Sequence, residues 1–154
     1  MTTVKLEGFK EIEAELAKLG NPNQRKASAR RALRKSAQPM ADLAQSMAPR
    51  GDTGTLAPSI SVGTKLSKRQ RGLHRRMFRN DRAAVEMFVG AGPLSSAHTQ
   101  EFGTINHGPQ PFMRPAFDQE AKPMLERLKA ELWDDIQKAV ARAERRAARL
   151  AVKG

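Results

Sequence analysis

The residues of this chain best suited to chemistry lie close together in the sequence: His98, Glu101 and His107. Imidazole nitrogens and carboxylate oxygens are common ligands of zinc, usually supplied by a closely spaced pair or a tight turn that brings them together. The two histidines here are nine residues apart, with Gly103 between them and Gly108 just after the second. The spacing therefore disfavours a metal site, and we expect no cofactor.

The sequence motifs also give little support to a hydrolase or to a phosphate-binding loop. The residue types of a catalytic triad are present in Ser95, Ser96, His98 and Asp52, but the chain has no nucleophile-elbow motif. The glycine-containing run 51–54 lacks the Lys-Ser/Thr pair that completes a phosphate-binding loop. We therefore expect that the chain is not an enzyme.

The chain is strongly basic, with a formal net charge of +12. This charge favours a polyanion or an acidic protein as partner, and a solvated basic surface is the simpler alternative. The absence of cysteine excludes disulfides and fits a reducing cytosol. We expect no signal peptide and no membrane partner, because no apolar run approaches the ~20 residues of a membrane span.

The most basic segment is 67–82, in which Asp81 is the single acid. Its basic residues are Lys68, Arg69, Arg71, Arg75, Arg76, Arg79 and Arg82. Three interpretations are open: the segment contacts DNA through phosphates, it contacts an acidic surface on a protein partner, or it is a solvated loop.

Hydrophobic periodicity predicts the helices that position these residues. Apolar residues that recur every three or four positions indicate helices over 7–19, 22–48 and 114–151, and we expect a further short helix over 95–102. Pro39 is expected to kink or divide the second helix, and Pro123 to bend or restart the last one.

The remaining pattern predicts a small sheet. Alternating residues indicate strands over 59–66 and 83–90, which should pair antiparallel. The connection 67–82 is too long for a tight turn, so we expect an extended β-arm or a mobile loop. The sequence thus predicts one α+β domain over 1–154, in which an N-terminal helical pair and a long C-terminal helix pack the sheet. The end of that helix, 141–154, is basic.

A stiff segment precedes the last helix. Glu101-Phe102-Gly103-Thr104 is followed by Pro111-Phe112-Met113-Arg114-Pro115-Ala116-Phe117-Asp118. Proline fixes its own φ and restricts the residue before it, so this segment should hold one shape without regular structure. We expect it to set the angle of the long helix, with Glu101 paired to Arg114.

These motifs resemble those of the gene-product-ten-like tail-component family of long-tailed bacteriophages. The resemblance rests on Ala48-Pro49, on the pattern Asp52-Thr53-Gly54-x-Leu56-x-x-Ser59-Ile60, and on the two blocks of the stiff segment, in that order. It extends from about Leu6 to Leu132. The motif residues that it marks as structural or assembly positions are Asp52, Thr53, Gly54, Leu56, Glu101, Phe102, Gly103, Thr104, Pro111, Phe112, Arg114, Pro115 and Phe117.

The resemblance implies a structural protein of the virion neck, a tail-completion or head–tail joining component. Such a protein would form a homo-oligomeric ring, of six subunits, between the head connector or stopper and the tail terminator or tail tube. It would be assembled in the host cytoplasm, with genomic DNA as a nonspecific contact. Its implied fold is α+β, and no catalysis is implied.

Two questions stay open at the level of sequence. The rings of Phe102, Phe112 and Phe117 are either core residues or subunit contacts. The +12 charge also allows a different function, that of a free nucleic-acid-binding protein.

Overall fold

A computed structural model describes residues 9–19, 21–51, 53–79 and 85–153. Within these residues the chain forms six helices and two strands. In order they are α1 (Phe9–Lys18), α2 (Pro22–Met47), α3 (Leu56–Ser59), β1 (Ile60–Gly63), α4 (Lys68–Met77), β2 (Phe88–Ala91), α5 (Ser95–Phe102) and α6 (Met113–Lys153). The small antiparallel sheet between N-terminal helices and a long C-terminal helix confirms the predicted α+β class.

Helices α2 and α6 form an antiparallel pair that is the frame of the fold. Near the start of α2, Arg31 pairs with Asp135 at 2.7 Å, and one turn later Lys35 pairs with Glu131 at 2.8 Å. Asn21 caps α2 by accepting a hydrogen bond from a backbone N–H, and Pro22 occupies its first turn.

The internal prolines do not interrupt either helix. Helix α2 runs through Pro39 and α6 runs through Pro123 without a break. Of the predicted alternatives, the division of α2 and the restart of α6 are therefore wrong, and the kink and the bend stay predictions. Each helix has buried residues on both sides of its proline, and this packing outweighs the lost backbone hydrogen bond.

Two apolar clusters hold these helices together. One joins the second half of α2 to α3, β1 and the start of α6, through Ala41, Ala44, Ala48, Leu56, Ile60, Phe112 and Ala116. The other joins α1, the first half of α2 and the middle of α6, through Ile12, Ala32, Leu132 and Ile136. Alanines and the buried serines Ser28 and Ser36 form most of the inner face of α2, so the partner helices can approach closely.

The sheet consists of the two predicted strands in shortened form. Strands β1 and β2 pair antiparallel, with Ile60 opposite Ala91 and Gly63 opposite Phe88. Residues 85–87 are not in a strand, and 83–84 lie outside the described residues. Ser59, predicted as strand, ends α3, where its hydroxyl donates a hydrogen bond of 2.6 Å to the carbonyl of Leu56.

The segment between the strands is helical where it was expected to be an extended β-arm or mobile loop. Helix α4 covers Lys68–Met77. The correction has a local cause: Ser67 and Gln70 form a capping box, each side chain hydrogen-bonded to the other residue's backbone N–H. The Lys, Arg, Leu and Met residues that follow have good helix propensity.

The C-terminal end of α6 extends away from the partner helices. Residues 142–152 are exposed without exception, whereas the earlier part of α6 includes buried and half-buried positions. At 41 residues the helix is about 60 Å long. In the part of the chain that the structure describes, no helix is long and apolar enough to cross a membrane.

Candidate functional site

A buried carboxylate holds the start of α6. Glu101 lies in the last turn of α5 and is 5% exposed. Its Oε2 accepts hydrogen bonds from the backbone N–H groups of Phe112 (2.8 Å) and Met113 (2.9 Å). Its Oε1 accepts from the backbone N–H of Arg114 (3.1 Å) and from the Arg114 side chain at Nε (3.0 Å). We call this arrangement the Glu101 cap.

The electrostatics of the Glu101 cap favour the ionised carboxylate. Burial by itself raises the pKa of Glu101, but the hydrogen bonds from Met113, Phe112 and Arg114 outweigh it and hold the pKa below its ordinary value. The first N–H groups of a helix lack helical partners and carry partial positive charge, so a carboxylate is the natural partner there. The predicted pairing of Glu101 with Arg114 is confirmed.

The loop between α5 and α6 is closed by its own backbone. Gly103 ends α5 with φ +76°, a left-handed conformation that favours glycine. A Cβ at this position would lie 2.9 Å from the carbonyl oxygen of His107 and 2.9 Å from the nitrogen of Pro109. Thr104 and His107 form an isolated bridge around a tight turn, and Gln110 donates from its backbone N–H to the carbonyl of Gln100. Only 103–112 are irregular, because Glu101 and Phe102 end α5 and residues 113–118 begin α6. The expectation that the whole segment lacks regular structure is therefore wrong.

The three phenylalanines of the motif have different environments. Phe112 is 0% exposed and belongs to the core shared by α2, α3, β1 and α6. Phe102 and Phe117 are 58% and 50% exposed. The ring of Phe102 has two close neighbours, the His98 ring with its centroid at 4.8 Å and the Arg114 guanidinium carbon at 4.9 Å. Phe112 is therefore a core residue, and the other two rings are exposed in the single chain.

One exposed apolar residue of this loop was not among the predicted site residues. Ile105 is fully exposed, at 104%, in the turn between Thr104 and His107. The signal in the sequence was a lone β-branched apolar residue between polar neighbours in a loop, where such a residue has no core to enter.

The upstream motif contributes both a surface turn and a core residue. Thr53 and Gly54 are exposed; Gly54 has φ +58° and its N–H donates to the carbonyl of Gly51 at 3.0 Å. Leu56 is buried in the same cluster as Phe112, so the structure brings these two motifs together through the core. Asp52 lies outside the described residues.

The other motif residues lie in the loop after α5 and in the first turn of α6. Thr104 and Pro111 are exposed, and Pro115 is half-buried in the first turn of α6. A carboxylate offers about four acceptor sites, and Glu101 uses them for its four hydrogen bonds. It is therefore not free to bind a metal with His98 and His107. Among the described residues, no group of three or more His, Asp or Glu is placed to hold a metal ion.

The basic candidates lie on a separate element, at or just after α4. All six of those that the structure describes are exposed: Lys68, Arg69, Arg71, Arg75, Arg76 and Arg79. Arg82 lies outside the described residues. Several of them line a groove of about 800 Å³ beside β2, together with His74, Phe78 and Phe88.

Comparison with known proteins relates the chain to a family of phage proteins. A family model described as “Bacteriophage HK97-gp10, putative tail-component” matches residues 10–103, from α1 to the glycine that ends α5. No curated protein and no solved structure matches the chain. The matched range contains the Thr53–Leu56 motif and Glu101–Gly103, while the segment 111–117 follows it.

Proposed function

The chain belongs to the HK97-gp10-like family of bacteriophage tail components, and from this premise we propose that it is a tail-completion protein of the virion neck. In this proposal six copies form a ring between the head connector or stopper and the tail terminator or tail tube. Assembly takes place in the host cytoplasm, before or during the joining of head and tail. The role is structural and involves no catalysis.

The observation that carries this proposal is a set of exposed apolar side chains on a rigid support. Phe102, Ile105 and Phe117 are each at least half exposed. The Phe102 ring contacts both His98 and Arg114, Ile105 lies in a bridged turn, and Phe117 is about one helical turn beyond Arg114. We call these three residues the apolar contact set.

Rigid exposed apolar groups favour association between subunits. Burying a fully exposed isoleucine side chain contributes ~1.5–3 kcal/mol. The backbone that carries Ile105 is closed by the Thr104–His107 bridge, so little backbone entropy is lost on binding. In a closed ring the same contact is repeated at every subunit boundary, so a modest contribution per copy becomes large for the assembly. The Glu101 cap supports this role because it fixes the loop relative to α6 before any partner binds.

The direct test uses a phage that lacks this gene and is complemented with variants of the chain. Ile105→Ser removes an exposed apolar group and should leave the free energy of unfolding within ~0.5 kcal/mol of the wild type. Losing ~2 kcal/mol at each subunit contact would weaken that contact by ~30-fold. We expect a loss of infectious particles, with unjoined heads and tails visible by negative-stain electron microscopy.

Val152→Ser is the matched control. Val152 is also an exposed aliphatic residue on the same protein, at the far end of α6. It should support normal joining of heads and tails. Full infectivity of the Ile105→Ser phage would refute the assignment of the apolar contact set to the subunit boundary. Monomeric behaviour of the isolated protein would not, since a ring of this kind can form on docking.

A free nucleic-acid-binding protein is the second candidate, and the exposed basic residues of α4 are the observation that favours it. The two functions differ in where the protein is found. A neck protein is present in purified virions at a fixed small copy number, whereas a free nucleic-acid-binding protein is absent from them. Quantitative mass spectrometry of purified particles separates the two.

A further inference from the structure

The charge of this protein is concentrated on one short stretch around α4. From residue 65 to residue 79 the chain has seven Lys and Arg and no Asp or Glu. Elsewhere several basic side chains have acidic partners, as in the pairs Arg31–Asp135, Lys35–Glu131 and Lys138–Asp134. Among the described residues, no carboxylate lies within 4.0 Å of a Lys or Arg side chain of α4 or of Arg79. The positive charge of this stretch is therefore directed to solvent.

The basic residues of α4 share one face of the helix. At 3.6 residues per turn, they occupy a sector of about 160°. Around that sector they follow the order Arg71, Arg75, Lys68, Arg76 and Arg69. Gly72 lies near the middle of the sector, where a Cβ would meet nothing within 4 Å. Nothing among the described residues of this face prevents close approach of a large anionic surface.

One side chain outside the basic sector, His74, connects α4 to the sheet. The His74 ring lies 4.8 Å from the Phe78 ring and 5.4 Å from the Phe88 ring of β2, in an edge-on contact with the latter. His74 Nε2 also lies 3.4 Å from a carboxylate oxygen of Glu86. The basic face is thus presented by a capped helix that contacts β2 through His74.

The composition of the basic face indicates which polyanion it fits. Single-stranded nucleic acid is usually bound by aromatic rings that stack on bases, and the rings of Phe78 and Phe88 beside α4 are each already in contact with the His74 ring. Recognition of bases in a groove uses a few directed hydrogen bonds to base edges, whereas contacts to phosphates only position the protein. The basic face is a broad array of cations with a glycine at its centre, and this arrangement suits phosphates. A ten-residue helix is about 15 Å long, and duplex DNA presents about nine phosphate charges over that length.

We infer that the basic face of α4 binds the phosphate backbone of duplex DNA without reading its sequence. Phosphate binding by lysine and arginine requires only opposite charge and access, both of which the exposed face supplies. The inference concerns the single chain and does not depend on ring formation. If DNA binding by α4 is refuted, the proposed neck function still stands. If the neck function is refuted, DNA binding by α4 still stands.

The test is fluorescence anisotropy of the full-length protein with a labelled duplex of about 30 base pairs at several salt concentrations. If about four phosphates are neutralised, the affinity should fall by ~150-fold between ~50 and ~200 mM salt, independently of DNA sequence. Removing two of the contacts with Arg71→Gln/Arg75→Gln should reduce the slope of log affinity against log salt by about two.

Two variants serve as controls. Arg145→Gln/Arg149→Gln removes the same charge from exposed positions four residues apart on α6 and should keep the full slope. Arg71→Lys/Arg75→Lys keeps the charge on α4 and should retain most of the binding. Circular dichroism melts confirm that each variant is folded.

Three results would overturn the inference. The first is no duplex binding at ~50 mM salt, with binding to an acidic polypeptide such as polyglutamate instead. The second is an equal loss in the α4 and α6 double variants, which would assign binding to net charge alone. The third is tighter binding of a single strand of the same length than of the duplex.

Discussion

Replacing Glu101 by glutamine tests how strongly the buried carboxylate holds the start of α6. Glutamine has nearly the same shape, but only one of its two terminal atoms accepts hydrogen bonds. Each oxygen of Glu101 accepts two hydrogen bonds, so the amide nitrogen of glutamine would face two N–H donors in either orientation of the amide. These donors are the backbone N–H groups of Phe112 and Met113 in one orientation, and the two N–H groups of Arg114 in the other. Hydrogen bonds to a charged group contribute ~1.5–3 kcal/mol each and are not additive, so we expect the free energy of unfolding at pH 7 to fall by ~3 kcal/mol.

The same substitution should change the pH dependence of stability. The pKa of Glu101 in the folded protein is lowered from its ordinary value of 4.5, so the folded state binds fewer protons than the unfolded state near that pH. The stabilisation is therefore complete above the ordinary pKa and is lost as the pH falls through the lowered one. The difference between wild type and Glu101→Gln should be constant from pH 7 to ~5 and shrink below ~4.5.

Urea denaturation at about pH 7, 5.5 and 3.5 measures both effects. Asp118→Asn is the control, because it makes the same carboxylate-to-amide change at an exposed position early in α6. That change should cost less than ~1 kcal/mol, since only its interaction with the helix dipole is lost. A loss below ~1 kcal/mol for Glu101→Gln at pH 7, or a loss of equal size at pH ~3.5, would refute the reasoning.

Two further substitutions test the support around the cap. Phe112→Ala should reduce the free energy of unfolding by ~3 kcal/mol or more, because the ring is fully buried among apolar neighbours; a denaturation midpoint showing a loss under ~1 kcal/mol would mean that the ring is not core. Gly103→Ala should cost ~1–3 kcal/mol, since φ is positive and the new Cβ would meet two backbone atoms at 2.9 Å. A thermal melt unchanged by Gly103→Ala would contradict the loop geometry.

The sequence predicted most of the helices and the pairing of the strands for clear physical reasons. The apolar residues of α1 and α6 recur every three or four positions, and a spacing of this kind is typical of a helix that packs one face against a core. The pairing of Glu101 with Arg114 was also predictable, because a stiff segment with two prolines limits where its ends can lie.

Other features depended on contacts that periodicity does not report. Helix α4 has no buried residue and so no apolar stripe, although the Ser67–Gln70 capping box was readable in the sequence. The inner face of α2 includes Ser28 and Ser36, which a pattern of apolar residues does not include. Their burial follows from the close approach of neighbouring helices.

The bonding of Glu101 to three consecutive backbone N–H groups was also beyond the sequence. Those groups carry no side-chain signal, and their position relative to α5 is fixed only by the complete loop. The sequence pattern predicted the ion pair with Arg114, but not that the same carboxylate caps α6. The exposure of Ile105 likewise became visible only with the turn in place.

A cryo-EM map of the intact phage tests the central claim most directly. We predict a ring of this chain between the head connector and the tail terminator, with Ile105 of each copy buried against the next copy. A particle without this chain at the neck, or a ring in which Ile105 and Phe102 remain in contact with solvent, would contradict it.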